Sequence, residues 1–398
     1  MAGALTHTSP GATSAPWSVI APILGVVFVA FIVIGLAIPV LPLHVHEGLG
    51  LGTFAVGLVS GSQFVASLVS RPWAGGYADR HGVKRAVVVG LGAAAGAGLS
   101  YLLSLQLTVT PILSAVFLLA GRAVLGGAES CIITGALSWA LALVDSRHTG
   151  KVIAWVGTAM FAAFAVGAPA GATIYEHLGF VALAVATIAA PLLTLLVVLP
   201  LKPAAASSGA RASPRQVFGA IWVPGVGLAL ASTGFGAVIA FTSLLFAARG
   251  WTPTWTAFTS YAVAFIAARV AFGHFADRFG GARVALGCLL IEAAGQALVW
   301  MASNQAVALF GIALTGFGFS LVYPGFGVEA ARRVPVQSRG LAMGAYAAFL
   351  DLAIGVGSPL LGWIAGLAGL ASVFLFSALS ILCAVFFAAR LLPRHQAR

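Results

Sequence analysis

The stretch GGYADRHGVKR (residues 75–85) recurs with partial sequence similarity as GHFADRFGGAR (residues 273–283). The aspartates of the two copies, Asp79 and Asp277, lie 198 residues apart in a chain of 398. A basic turn repeated at about half the chain length predicts a duplicated protein, in which each half carries a turn of the same design.

The composition indicates that the chain is folded in lipid. Hydrophobic residues make up 61% of the chain and charged residues only 7%, whereas soluble domains carry about 25% charged residues. The 49 glycines fit helices that pack closely in a membrane. The net charge of +11 does not indicate nucleic-acid binding, because the charges lie in short gaps between apolar runs.

The apolar runs predict twelve membrane-spanning helices, since a spanning helix needs about 20 apolar residues. The predicted segments are 17–43, 54–77, 84–105, 110–143, 151–177, 179–200, 217–247, 254–277, 283–302, 306–330, 339–367 and 370–392. The stretch LKPAAASSGARASPR is rich in Pro, Ser and basic residues and predicts a linker between two halves. We therefore expect an all-α membrane protein with five parts: a tail (1–16), a six-helix bundle (17–200), a cytoplasmic linker (201–215), a second six-helix bundle (216–392) and a tail (393–398).

The distribution of Lys and Arg predicts the orientation. With the N-terminus in the cytoplasm, 16 of the 20 basic residues fall in cytoplasmic segments and one, Arg249, falls in an outer loop. This asymmetry places both termini in the cytoplasm. Three arginines lie within predicted helices, and two of them, Arg71 and Arg269, are close enough to the cytoplasmic ends to snorkel. The third is Arg122.

Twelve helices in two similar halves, joined by a basic linker, resemble the major facilitator superfamily of secondary transporters over the whole chain. The turn between the second and third helices is similar to the family pattern G-x-x-x-D-R/K-x-G-R/K-R/K. The matching residues are Gly75, Asp79, Arg80, Gly82, Lys84 and Arg85 in the first copy, and Gly273, Asp277, Arg278, Gly280 and Arg283 in the second.

Three further resemblances indicate a branch within this superfamily. Residues 121–127 are similar to the R-x-x-x-G pattern of the fourth helix, and residues 167–171 resemble the G-P-x-x-G-G signature of the antiporter branch with looser spacing. The runs SRPWAGGYAD, TGFGFSLVYPGFGVEA and AAFLDLAIGVGSPLLG look like those of the bacterial YhhS/YfcJ-type subgroup.

The resemblance implies a gating role for the basic turn. In the family, this turn is thought to latch the two halves in the outward-facing state, which implies a latch for Asp79 and Arg80. Lys84 and Arg85 fit either this latch or a simple topological signal. We expect the second copy, which lacks the paired Lys-Arg, to be structural. A glycine at position 82 permits a tight turn where we expect a Cβ atom to clash.

Charges inside the membrane are expensive, so each requires a partner or a function. Arg122 and Glu129 are seven residues apart, which puts them within about 20° of one helix face and about 10 Å apart. We expect Gly126 to keep the surface between them open, with Glu129 titrating and Arg122 holding charge in a polar cavity. The alternative is that Arg122 ties its helix to backbone carbonyls of the first helix.

Asp351, about twelve residues into the eleventh helix, is the third candidate for proton coupling or substrate binding. A buried carboxyl can bind and release a proton as water access alternates. The alternative is a structural carboxyl that bonds a Ser or Tyr such as Tyr346. Glu292 and Gln296, one turn apart in the ninth helix, are interpreted as a structural polar pair within that helix.

Prolines in Gly-rich stretches occupy equivalent places in the two halves. Gly167, Pro169 and Gly171 lie in the fifth helix, and Gly357 and Pro359 lie in the eleventh. A proline removes one helical hydrogen bond, so we expect bends that shape the interface between the halves. Four aromatic residues are candidates to face a cavity: Phe235, Phe241, Phe317 and Tyr323.

These features predict alternating access around a central site. The favoured function is proton-coupled efflux of a small organic or amphipathic molecule, and the alternative is proton-coupled uptake of a sugar or organic acid whose carboxylate Arg122 holds. We expect a monomer in the bacterial inner membrane that uses the proton gradient and needs no cofactor or metal. No nucleophile–base spacing or phosphate-binding loop indicates an enzyme or an ATP-driven pump.

Overall fold

The computed structural model describes residues 17–144, 149–203, 214–335 and 339–392. The two predicted tails and most of the predicted linker lie outside the described residues.

The described residues of the first half form six α-helices and one π-helical turn. The helices are α1 (Trp17–Ala37), α2 (Val40–Leu43), α3 (Thr53–His81), α4 (Val83–Leu105), α5 (Pro111–Ala142) and α6 (Thr149–Val198). The π-helical turn, His44–Gly48, continues α2, so that α1, α2 and this turn together form the first predicted segment. Gly179 interrupts α6 with a φ of 74°. Because this conformation is not helical, α6 is two helices in series, as the sequence predicts at this position.

Seven helices are formed by the residues of the second half that the structure describes. They are α7 (Pro214–Ala248), α8 (Thr256–Phe272), α9 (Phe275–Phe279), α10 (Gly281–Met301), α11 (Gln305–Arg332), α12 (Arg339–Ala368) and α13 (Ser372–Arg390). Within this half, α10 packs against α11 and α13, and α7 packs against α12 and α13.

The described helices account for the twelve predicted crossings. Ten helical spans are long and apolar enough to cross a membrane, and one of them, 155–198, contains both crossings of α6. The helix α8 has only 17 residues, or about 25 Å at 1.5 Å per residue, and α9 follows it after two residues to complete the eighth crossing. Large apolar side chains such as Val69, Ile112 and Leu193 are 63–75% exposed, as expected of surfaces that face lipid.

The two copies of the basic turn have the same backbone. Gly82 ends α3 with a φ of 93°, and Gly280 ends α9 with a φ of 92°. A Cβ atom at either glycine would meet nothing within 4 Å. The expectation of a steric clash is therefore wrong; the positive φ is what requires glycine here.

Other glycines let backbones touch. A Cβ atom at Gly171 would overlap the carbonyl oxygen of Leu36, and one at Gly167 would lie 3.0 Å from the Cα of Gly35. These two residues of the predicted bend element therefore hold α6 against α1. Pro169 and Pro359 both lie inside helices, and a Cβ atom at Gly357 would meet nothing within 4 Å.

Candidate functional site

An ion pair joins the two halves inside the bundle. The Nε of Arg71 in α3 donates to the Oδ2 of Asp351 in α12 at 2.5 Å. The Asp351 side chain is 2% exposed and that of Arg71 is 25% exposed. The expectation that Arg71 snorkels to the surface is therefore wrong. So is the alternative of a Tyr346 partner for Asp351, because the Tyr346 hydroxyl donates to the carbonyl oxygen of Tyr323 at 2.8 Å.

One polar face of α3 leads from this pair to α5. Gln63, Ser67 and Arg71 are spaced by four residues and so share a face. The Nε2 of Gln63 donates to the Oε2 of Glu129 at 2.7 Å, and the Ser130 hydroxyl donates to the carbonyl oxygen of Ser67 at 2.9 Å. The two predicted carboxylates, from different halves, are thus both held by side chains of α3.

Arg122 lies on the same side of α5 as Glu129. It is 4% exposed, and its Nε and Nη1 have no hydrogen-bond partner among the described residues. It lines a narrow cavity with Ser60 of α3 and with apolar side chains of α1, α6 and α7. A Cβ atom at Gly126 would overlap the carbonyl oxygen of Gln63. Gly126 therefore closes α5 onto α3, and the expectation that it keeps this surface open is wrong.

Aromatic rings bridge the two halves beside this cavity. The aromatic cluster consists of Phe161, Phe164, Phe235, Tyr261, Phe265 and Phe319. The ring centroids of Phe161 in α6 and Phe265 in α8 are 3.5 Å apart and stacked. Of the four aromatic residues proposed from the sequence, Phe235 belongs to this cluster, lines the cavity and is 5.7 Å from Phe319.

The sequence profile described as the Major Facilitator Superfamily matches residues 23–258 and 226–398. The chain belongs to the major facilitator superfamily. It is 41% identical over 392 residues to an "Uncharacterized MFS-type transporter" of Pseudomonas aeruginosa (strain UCBPP-PA14), covering 98% of each chain. It is 38% identical over 367 residues to the "Uncharacterized MFS-type transporter YhhS" of Escherichia coli (strain K12), covering 92% of this chain and 91% of that one. The predicted resemblance is thereby confirmed.

Solved structures share this fold at low sequence identity. A D-xylose-proton symporter superposes with a TM-score of 0.75 at 14% identity, covering 96% of this chain and 99% of that chain. A mutant of the nucleoside transporter NupG also gives 0.75 at 14% identity, covering 94% of this chain and 100% of that chain. At such identities, the comparison supports the superfamily fold alone.

The basic turn of the superfamily lies at the ends of α3 and α4. Lys84 donates its Nζ to the carbonyl oxygens of Leu199 at 2.6 Å and Leu201 at 2.8 Å. A cation at these carbonyls satisfies acceptors that the C-terminal end of α6 leaves open. Lys84 thus contacts its own half. The latch function of Asp79 stays a prediction.

In the second copy of this turn, Gly273 and Gly280 flank α9. The guanidinium of Arg278 lies 5.4 Å from the ring centroid of Phe279. The side chain of Asp277 lies outside the described part of the structure.

Glu292 is buried apart from these groups. It is 0% exposed, and neither of its carboxylate oxygens has a hydrogen-bond partner among the described residues. The expected pairing within α10 is wrong, because the Nε2 of Gln296 instead donates to the carbonyl oxygen of Gly234 and to the Oγ1 of Thr315, both at 3.3 Å. An ionised carboxylate is costly in such surroundings.

Glu292→Gln is expected to stabilise the protein and to leave transport unchanged. The substitution removes a buried carboxyl and supplies an amide N–H₂ that can donate to the Oε1 of Gln296, which has no donor in the described residues. We expect the apparent melting temperature in detergent to rise by about 2–4 °C. Glu176→Gln, at an exposed carboxylate, is the matched control and should leave it unchanged. A lower melting temperature for Glu292→Gln would contradict this structural interpretation.

Proposed function

We propose that this transporter exports a small amphipathic organic molecule across the bacterial inner membrane by exchange for protons. In this proposal, the six-helix bundles 17–200 and 216–392 rock about the central site, with both termini in the cytoplasm. The protein acts as a monomer and uses the proton gradient as its energy source.

The observation that carries this proposal is the ion pair between Arg71 and Asp351. The pair spans the two halves, so any rocking that separates α3 from α12 must break it. Asp351 is almost completely buried, and an isolated buried carboxylate is strongly unfavourable. A proton can replace Arg71 as the partner of Asp351 at that moment, and this replacement couples protonation to the movement of the halves.

Glu129 supports the same coupling from the first half. Its carboxylate is held by the neutral amide of Gln63, and it lies partly buried beside the pair. The aromatic cluster lies between the two halves and offers an apolar surface to a substrate. A site that combines titratable carboxyls with an aromatic surface suits a substrate that is amphipathic.

A second candidate is uptake of an organic acid together with protons. The unbonded Nε and Nη1 of Arg122, at the cavity wall, favour a substrate with a carboxylate. The two candidates share the fold and the coupling groups, and they differ in the direction of proton movement relative to the substrate.

Everted membrane vesicles with an acidic interior distinguish the two candidates. A panel of amphipathic compounds is added outside, and the interior pH is followed by acridine orange fluorescence. Antiport predicts that a transported compound drives protons out and restores the fluorescence, and that a protonophore abolishes its uptake. Accumulation of a labelled compound without a proton gradient would contradict proton coupling, and a compound that carries protons inward with it would indicate symport.

Glu129→Gln is expected to reduce proton-driven transport at least about tenfold while substrate exchange without a gradient continues. Gln keeps the shape and can still bond Gln63, but it cannot titrate. Proteoliposomes with an imposed pH gradient measure the first activity, and counterflow of labelled substrate measures the second. Glu176→Gln, an exposed carboxylate of the same half, should transport as the wild type does. Wild-type pH dependence in Glu129→Gln would remove Glu129 as a proton carrier.

A further inference from the structure

Arg269 is the counterpart of Arg71 in the second half, but among the described residues it has no counterpart of Asp351. Its guanidinium lies 5.3 Å from the ring centroid of Phe265, and its buried Nε has no acceptor among the described residues. Among the described residues, Arg269 interacts electrostatically with the hydroxyl of Tyr323. In the described part of the chain, no carboxylate lies within ion-pair distance of Arg269. Within the described residues, the guanidinium of Arg269 therefore has no ion-pair partner.

Arg122, in the first half, is a second arginine without an ion-pair partner among the described residues. Two of its three guanidinium nitrogens have no acceptor among the described residues, although the side chain is 4% exposed. The nearby hydroxyl of Tyr101 is a weakly polar neighbour and no counter-ion. Glu129, the carboxylate on the same helix, is bonded to Gln63 instead.

Both arginines border the aromatic cluster, from opposite halves. Arg122 shares its cavity with Phe164 and Phe235, and Arg269 lies over Phe265, whose ring stacks on Phe161. Each arginine is thus next to rings that belong to both halves. A molecule held against the cluster would therefore contact a surface that carries a guanidinium group from each half.

The net charge of the side chains near the aromatic cluster favours an anionic substrate. A buried guanidinium without a partner is unfavourable. An anion with oxygen acceptors is its best partner, because the planar guanidinium group can donate two parallel hydrogen bonds to a carboxylate or phosphate. Asp351 is paired with Arg71, whereas Glu129 is held by the neutral amide of Gln63 and, when ionised, offsets one of the two remaining positive charges. The three arginines and two carboxylates therefore leave a net positive charge.

We propose that the transported molecule is an organic anion with a flat apolar body, whose negative charge is stabilised by Arg122 and Arg269, the two arginines that border the aromatic cluster. This proposal rests on the proposed transport function and adds the class of substrate. An organic cation would face a net positive charge beside the cluster.

Three probes of similar size and different charge test this proposal: 2-naphthoate, 2-naphthamide and 2-naphthylmethylammonium. Each is added to the purified full-length protein in detergent, and thermal unfolding is followed as its concentration rises. Because a ligand that binds the folded state raises its apparent stability, we expect 2-naphthoate to raise the melting temperature far more than the amide or the ammonium compound. Equal effects of the three probes, a larger effect of the ammonium compound or no effect of 2-naphthoate would overturn the proposal.

Variants then locate the binding groups. Arg269→Gln and Arg122→Gln are each expected to weaken 2-naphthoate binding about tenfold or more, the usual result of losing a charge-assisted hydrogen bond. Arg269→Lys should weaken it less. The control is Arg249→Gln, at an exposed arginine 5.7 Å from the Trp251 ring, which should bind as the wild type does. Unchanged 2-naphthoate binding in both Arg122→Gln and Arg269→Gln would overturn the assignment.

Two features keep this test decisive. If a glutamine variant does not fold, the comparison of the three probes on the wild-type protein still decides the charge class. Binding is measured at equilibrium without a proton gradient, so selective binding of 2-naphthoate survives a failure of proton coupling in the vesicle experiment. The two proposals can therefore fail separately.

Discussion

Asp351→Asn is expected to abolish proton-driven transport while the protein still folds. The substitution removes the carboxyl group of the pair and leaves Arg71, which is 25% exposed and can be hydrated in part. Arg71→Gln should be more harmful to folding, because it leaves a carboxylate that is 2% exposed without its partner. Breaking a buried pair from one side costs about 3–5 kcal/mol, and the partial exposure of Arg71 reduces the loss for Asp351→Asn.

A double-mutant cycle tests whether Arg71→Gln destabilises the protein more than Asp351→Asn does. The apparent stabilities of Asp351→Asn, Arg71→Gln and the double variant are compared with that of the wild type, and the double variant should recover part of the loss seen in Arg71→Gln. The control is Arg333→Gln, which removes a partner of Glu329 at 3.1 Å near the end of α11. Because Arg332 remains 3.7 Å from Glu329 and Arg333 is 33% exposed, this substitution should cost at most about 1 kcal/mol. Proton-driven transport at the wild-type rate in Asp351→Asn would refute the coupling role of the pair.

The helices and their halves could be predicted from the sequence because lipid imposes a simple rule. Every backbone polar group must be bonded inside its own helix, so apolar length alone marks each crossing. The boundary at Gly179 was also predictable, since two apolar runs meet there without room for a loop. The eighth crossing shows the limit of the rule: α8 stops after 17 residues, and a two-residue break separates it from α9.

The pairing of Arg71 with Asp351 could not be predicted, although its depth could. Arg71 lies ten residues before the end of α3, and Asp351 lies twelve residues after the start of α12. At 1.5 Å per residue, both are about 15–18 Å from helix ends predicted to face the cytoplasm. Similar depth makes contact feasible, but the rotation of each helix and the neighbour it faces depend on packing between residues 280 positions apart.

The role of Gly126 could not be predicted from the sequence for a related reason. At Gly126, the absence of a side chain suggested open space, whereas the neighbouring helix fills it with backbone. A glycine in a membrane helix marks either a gap or the closest contact in the bundle. Which of the two applies depends on the facing helix, and the sequence of one helix does not contain that information.

The second large effect is expected at Gly57, where the two halves touch along α3 and α12. A Cβ atom at Gly57 would overlap the carbonyl oxygen of Ser358, and one at Gly61 would lie 2.6 Å from the carbonyl oxygen of Gly355. Near the same end, the Thr53 hydroxyl donates to the carbonyl oxygen of Gly362 at 2.7 Å. By the predicted orientation, this is the outer side, so these contacts close the transporter to the outside.

Gly57→Ala should therefore prevent this closure without disturbing either half internally. Forcing a methyl group into a packed contact costs about 1–3 kcal/mol, and about 1.4 kcal/mol shifts a two-state equilibrium tenfold. We expect transport to fall about tenfold or more, with the protein held in states whose halves are apart at this end. Gly92→Ala is the matched control, because a Cβ atom at Gly92 would meet nothing within 4 Å.

Cross-linking reads out the closure directly. Thr53→Cys and Gly366→Cys place two thiols near one another, since a Cβ atom at Gly366 would lie 3.4 Å from the Thr53 hydroxyl. Cys383, the one exposed cysteine in the described residues, is first replaced by serine. Copper phenanthroline should cross-link the two introduced cysteines readily in the protein with no glycine substitution and in the Gly92→Ala variant. It should cross-link them much less in the Gly57→Ala variant. Equal cross-linking in all three backgrounds would mean that the contact between α3 and α12 accommodates the methyl group. In that case, the closeness of the two backbones at Gly57 would not control which side of the transporter is open.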